Sequence, residues 1–212
     1  MNTWGGFLSR VRAELDDTGG VTTWSDEVLF YWLTDALADY SLHNPLRKTT
    51  DLTDKTGASY DLPVDLVAID LVETPQGTFL KKRETRPNVR FRASSNRPHR
   101  YWVVDGKLVL EKETEEAVSL AYRAIHPSPS SHSDNTFSIT VPQRDIELLS
   151  LYVRAKAYSR MRGGQANLDR FALGSGDRDD NPVTPEVESL MKEYRMKIAE
   201  RYSGGVIVLH RS

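Results

Sequence analysis

The sequence predicts an α+β protein, a helical bundle of N- and C-terminal helices with a small antiparallel β domain inserted between them. Three observations carry this expectation. Two amphipathic helical segments, Arg10–Asp17 and Trp24–Tyr40, open the chain. The apolar spacing then changes to a period of two from about Thr49 to Val141, and a helical period returns after Pro142. The division that follows is 1–48 for the N-terminal helices, 49–141 for the β insertion, 142–202 for the C-terminal helices and 203–212 for an extended tail.

The first helix is expected from about Thr3 to Leu15, with Phe7, Leu8, Val11 and Leu15 on one stripe, before Asp16, Asp17, Gly19 and Gly20 break it. Ser25 or Thr23 can cap the second, where Asp26 and Glu27 favour the positive end of the helix dipole. Its stripe is Val28, Leu29, Trp32, Leu33, Ala36, Leu37 and Tyr40. Tyr31 falls outside that arc. It reads as an exposed aromatic, or as an anchor for a neighbouring subunit.

Within the insertion, Val67, Ile69 and Leu71 alternate with Ala68 and Asp70, as in a half-buried strand. Asp105-Gly106 accepts positive φ at both turn positions, so Tyr101–Leu110 reads as a two-residue type I′ hairpin. Its register pairs Tyr101 with Leu110, Trp102 with Val109 and Val103 with Leu108. Val118, Leu120 and Tyr122 supply another strand. Pro127–Ser131 reads as a linker, followed by a short strand at Phe137, Ile139 and Val141.

Pro142 opens a helix expected to end near Arg162 at Gly163-Gly164, and its Ile146, Leu148, Leu149, Leu151, Tyr152, Val153, Ala155 and Tyr158 lie nearly all round it, as suits a central position. A polar, glycine-rich stretch, Gln165–Asn181, follows. The last helix has Thr184 as its expected cap, Pro185 at its first position, and a stripe of Val187, Leu190, Met191, Tyr194, Ile198 and Tyr202. Gly204-Gly205 ends it, and Val206, Ile207, Val208, Leu209 and His210 form an apolar tail.

Composition removes several function classes. A net charge of -2 over 212 residues argues against a globally basic nucleic-acid binder. The absence of cysteine excludes disulfides and thiolate chemistry. No basic segment followed by an apolar run opens the chain, and no apolar run nears the roughly 20 residues that span a bilayer. A soluble, cytosolically made protein without membrane contact is expected.

Enzyme motifs are missing: there is no Gly-x-Ser-x-Gly elbow, phosphate loop, Gly-x-Gly-x-x-Gly or His-Glu-x-x-His. No catalytic residue, metal or cofactor is therefore expected. Asp177, Asp179 and Asn181 match the first ligand positions of a calcium loop, with Glu188 at the position of its last ligand. Pro182 stands where that loop needs glycine, so the segment reads as a solvated acidic loop.

The strongest charge signal is basic. Lys81, Lys82, Arg83, Arg86, Arg90, Arg92, Arg97 and Arg100 lie between Leu80 and Tyr101 against Glu84 alone, and the acidic Glu111, Glu113, Glu115 and Glu116 follow directly. Phosphate contact, complementarity between identical subunits and a solvated loop all fit this pattern. A nucleic-acid-binding module using 81–100 is the alternative function it allows, although few stacking aromatics interleave. The tail carries the other signal. An unpaired apolar strand is a liability in water, so Val206–Leu209 should pair with the chain's own sheet or, the favoured reading, with a partner.

The segments Val11–Asp17, Trp24–Tyr40, Tyr60–Val72, Arg97–Glu111, Ser119–Pro127 and Pro142–Tyr158 together resemble the head-to-tail adaptor (connector, neck) proteins of tailed bacteriophages. The resemblance implies a non-enzymatic virion protein, assembled in the host cytoplasm, that forms a ring, commonly a dodecamer, beneath the portal. Such a ring carries the tail or nozzle proteins and passes double-stranded DNA through its lumen without sequence specificity. It also implies that Val206, Ile207, Val208, Leu209 and His210 dock on the portal. The long polar stretch Gln165–Asn181 departs from the family pattern and inherits no role. A ring accounts for opposite charge clusters in one chain, since a head-to-tail interface joins two different surfaces. Lys81, Lys82, Arg83, Arg86, Arg90 and Arg92 would then face Glu111, Glu113, Glu115 and Glu116 of the next subunit, or phosphate.

Overall fold

The computed structural model describes residues 3–20, 22–53, 55–56, 58–74, 77–83, 98–113, 117–171 and 183–202. The class is α+β, as the sequence predicts. Two compact units divide the chain: one takes the described residues up to Asn44 and from His126 onward, the other is Pro45–Ile125. Each has its own hydrophobic core.

In the helical unit, α1 is Trp4–Glu14 and α2 is Asp26–His43. Thr3 caps α1 by accepting from the Gly6 amide, and Ser25 caps α2 by accepting from the Val28 amide. Between them Asp17 is buried, where it meets Arg12 at 2.6 Å and accepts from the Thr23 amide at 2.6 Å. The second Arg12 nitrogen donates to the Trp24 carbonyl at 2.9 Å. One guanidinium thus fixes the turn that joins the two helices. Leu29, Leu33, Ala36, Leu37 and Tyr40 are buried as the 3.6-residue period requires, and Tyr31 is 57% exposed.

The segment Phe137–Val141 departs from expectation. It belongs to the helical unit and makes only an isolated bridge, Thr3 to Ser138, instead of a sheet strand. Its alternation is nevertheless real, because Ile139 and Val141 are buried in the helical core. The Trp4 amide donates to the Phe137 carbonyl at 2.8 Å and the Gly5 amide to the Asn135 carbonyl at 3.1 Å. Two first-turn amides that no helical carbonyl can reach are satisfied in this way.

A 3-10 turn, Gln143–Asp145, leads into α3, Ile146–Phe171. Gly163-Gly164 do not end this helix. Their cost of roughly 1 kcal/mol each is countered by the strong helix formers that follow, Gln165, Ala166 and Leu168. α3 packs against α1, α2 and α4, and Leu148, Leu149 and Val153 are fully buried, so the all-round apolar pattern does mark a central helix. α4 is Val183–Tyr202 and begins ahead of the expected cap, which puts Thr184 and Pro185 in its first turn. Proline is tolerated there because first-turn amides have no helical acceptor. The loop Asp177–Asn181 lies outside the described residues, while Glu188 is exposed on α4.

The β unit holds two sheets. One has three strands in the order β1 (Leu46–Leu52), β8 (Val118–Ala124), β4 (Leu66–Glu73). The other runs β2 (Lys55–Thr56), β3 (Ser59–Asp61), β7 (Lys107–Leu110), β6 (Arg100–Val104), β5 (Lys81–Lys82), antiparallel except where β5 joins β6. The hairpin has the predicted register, with Asp105 at φ 51° and Gly106 at φ 72°. Leu52, Val72, Val118, Leu120 and Tyr122 from the first sheet share a core with Tyr60, Tyr101, Leu108 and Leu110 from the second.

Strand β4 corrects the simple alternation. Its register against β8 shifts between Leu66 and Ala68 and again between Ile69 and Leu71. Each shift inserts a residue and turns the following side chains over. The inward positions become Leu66, Ile69 and Val72, opposite Ala124, Tyr122 and Leu120, and Leu71 is left exposed.

Candidate assembly surfaces

The basic segment begins on a sheet edge. Leu80 is buried, and its amide donates to the Val72 carbonyl at 2.9 Å. This anchors β5, where the Lys81 amide donates to the His99 carbonyl and the Arg83 amide to the Tyr101 carbonyl. Lys81, Lys82 and Arg83 are all exposed. Charged side chains on an edge strand deter indiscriminate strand pairing, and they leave a positive surface for a chosen partner.

Part of the acidic cluster is folded back onto this same edge. Arg100 and Glu111 form an ion pair at 3.9 Å, and the Glu111 amide donates to the Arg100 carbonyl at 3.0 Å. Extending the hairpin register one step beyond Tyr101 and Leu110 brings these two residues opposite one another. Glu113 is exposed. The structure therefore places Lys81, Lys82, Arg83, Arg100, Glu111 and Glu113. Arg86, Arg90, Arg92, Arg97, Glu115 and Glu116 lie outside the described residues.

The second feature is the root of the C-terminal segment. Val206, Ile207, Val208, Leu209 and His210 lie outside the described residues, but α4 before them is held at its last turn. The Asp145 side chain is fully buried and meets Arg201 at 2.6 Å. It also accepts from the Tyr40 hydroxyl at 2.7 Å and from the Tyr202 hydroxyl. Asn44 donates to the Tyr40 hydroxyl at 2.6 Å, and Tyr40 and Tyr202 meet edge to face. About two turns earlier Tyr194 donates to Asp39. Burial alone would raise the Asp145 carboxyl, but the hydrogen bonds from Tyr202 and Tyr40 and the Arg201 guanidinium hold it below the ordinary carboxylate value. The same burial raises the Tyr40 hydroxyl.

Asp145 was not singled out by the sequence pattern, where it reads only as an acid in a helix's first turn. The available signal was indirect: Tyr40 and Tyr202 each sit at the end of an apolar stripe, and a buried tyrosine hydroxyl requires a partner.

His126 closes the helical unit where the chain returns from the β unit. Its amide donates to the Ser41 hydroxyl at 2.9 Å, and its Nε2 meets the Asn44 carbonyl at 2.9 Å. A carbonyl only accepts, so Nε2 carries the proton and Nδ1 of the neutral ring accepts from Thr140 at 2.8 Å. Burial pushes this imidazole below its ordinary value. It is a satisfied structural histidine.

Among the described residues no cluster of three or more His, Asp or Glu side chains is placed to hold a metal ion, and no helix is long and apolar enough to cross a membrane. The features the structure offers are therefore surfaces and the fixed end of a helix. No curated protein matches the chain. The family model described as SU10 adaptor protein matches residues 2–186, spanning both units and stopping in the first turn of α4, so the C-terminal tail lies beyond the match. A chain matched over that length belongs to the SU10 adaptor protein family, which makes it a phage adaptor protein.

Proposed function

We propose that this adaptor assembles with copies of itself into a twelvefold ring below the portal of a tailed phage. The ring joins the portal to the tail or nozzle proteins and surrounds the path of double-stranded DNA. The observation that carries this reading is the family match across both units. The structural chemistry is consistent with it. The described surface is charged on a sheet edge, and the helix that precedes the tail ends in a buried cluster around Asp145.

Portal docking belongs, in this reading, to Val206–His210. An apolar, β-branched segment adds readily to a sheet edge of another protein, and a fixed starting point lowers the entropy it loses on docking. Tyr202 and Arg201 supply that starting point through Asp145. Deleting Gly205–Ser212 should leave the helical content and unfolding midpoint unchanged while abolishing co-sedimentation with portal rings. Retained binding by the truncated chain would remove the tail from the docking role.

The β5 edge provides a second contact, with Lys81, Lys82 and Arg83 of one subunit facing Glu113, Glu115 and Glu116 of the next. Arg86, Arg90 and Arg92, which follow in sequence, belong to the same proposed contact, and Glu111 is shared with its own Arg100. Reversing Lys81, Lys82 and Arg83 to glutamate should weaken ring formation or tail attachment about tenfold or more, since like charges would then oppose each other. The alternative, a nucleic-acid-binding module using 81–100, predicts instead a DNA affinity that falls steeply with salt and vanishes in the same variant. Virion assembly at wild-type yield with all three charges reversed would leave that edge without a role in the joint.

A further inference from the structure

The described part of the helical unit carries two exposed helix faces, one acidic and one basic in its middle turns, and each has large apolar area on it. On α2 the residues Glu27, Tyr31, Asp35, Ala38 and Leu42 are exposed at spacings that put them on one stripe. Tyr31 is 57% exposed and Leu42 70% exposed. α2 contains four carboxylates, Asp26, Glu27, Asp35 and Asp39, and no lysine or arginine. Asp26 is engaged by Arg12 and Asp39 by Tyr194, which leaves Glu27 and Asp35 to face outward. Glu27 accepts from the Tyr31 hydroxyl at 3.2 Å, and Asp35 has Lys156 only at 3.8 Å.

On α4 the exposed residues Ser189, Lys192, Met196 and Ala199 form a second stripe, with Arg195 beside it. Met196 is 49% exposed. Lys197 pairs with Glu147 and Glu193, and Arg201 with Asp145. Lys192 and Arg195 have no ion pair among the described residues. Glu188 and Glu200, exposed at either end, leave the middle turns of this face positive.

We propose that the outward face of α2 on one copy packs against the outward face of α4 on the next copy, forming the helical contact that closes the ring. This rests on the ring reading above and names the surface and its partner. The charges select the pairing. An α2 face meeting another α2 face would set Glu27 and Asp35 against themselves, and two α4 faces would oppose Lys192 and Arg195. Only the mixed pairing joins opposite signs and buries Tyr31, Leu42 and Met196 together. Joining two different patches of one chain is the head-to-tail arrangement that repeats around a closed ring. Most of the α4 face lies beyond the family match at residue 186, so the contact is read from this chain's own residues.

The test exchanges charge on the full chain. One variant carries Lys192→Glu with Arg195→Glu, and the other carries Glu27→Lys with Asp35→Lys. Each alone should need at least about tenfold more protein to form rings in the presence of portal, because like charges then meet at every joint. An equimolar mixture should assemble as wild type does, since alternating copies restore opposite charges at both faces. Circular dichroism checks that each variant keeps wild-type helicity, as expected for exposed positions. Rings from either variant at wild-type concentration, or a mixture no better than its parts, would overturn this contact while the ring reading stands. Wild type that forms no ring with portal would overturn both.

Discussion

Replacing Asp145 with alanine should destabilise the helical unit by about 3 kcal/mol, measured as the shift in urea unfolding followed by helical circular dichroism. The carboxylate is fully buried and holds three groups: the Tyr40 hydroxyl, the Tyr202 hydroxyl and the Arg201 guanidinium. Its removal takes away the acceptor both hydroxyls share and leaves them only each other and Asn44 as partners. Arg201 is about one-third exposed and recovers some solvation, which keeps the loss below that of a wholly buried pair. The same substitution should reduce portal binding, because the last turn of α4 loses the contacts that hold it.

The pH dependence has a defined sign. The Asp145 carboxyl is held below its ordinary value of 3.8, so the folded chain binds this proton less readily than the unfolded chain does. Its stabilising contribution is present in full above that value and is lost as pH falls through the lower, folded-state value. Asp145→Asn should therefore be less stable than wild type at neutral pH, with the gap narrowing below pH 3.8. A gap independent of pH would remove the carboxylate from the account.

The second large effect is expected at Trp4, where alanine should cost about 3–5 kcal/mol. Trp4 is fully buried, stacks on Phe7 and meets Phe30 edge to face. Its indole nitrogen donates to the His132 carbonyl at 2.8 Å, and its amide donates to the Phe137 carbonyl. The substitution removes the ring from the core and the indole bond to His132, while the backbone bonds to Asn135 and Phe137 remain. Leu substituted at the same position restores part of the volume and none of the indole hydrogen bond. The leucine variant should fall between alanine and wild type in the same unfolding experiment.

What could be read from sequence was what local chemistry decides. Asp105-Gly106 fixed the hairpin and its register because both turn positions need positive φ, and Ser25 marked the start of α2 as an amide acceptor. The inward phase of β4 could not be read, since its two bulges are defined only by pairing with β8, about fifty residues away. Gly163-Gly164 misled because glycine lowers helix propensity without forbidding a helix, and α3 runs on to Phe171. Of the site, the charge of the β5 edge was visible as composition. The Arg100–Glu111 pair was contained in the hairpin register but needed the sheet to be drawn out one step further. Asp145 required contacts from helices on both sides of the β unit, which no window of sequence contains.

The central claim is that this chain closes into a ring on the portal. Negative-stain imaging of the full chain mixed with purified portal rings, together with native mass measurement of the complex, tests it most directly. The account predicts a closed ring of identical copies coaxial with the portal, with mass measurement returning twelve. A chain that stays monomeric beside the portal and binds DNA with a steep salt dependence would contradict it.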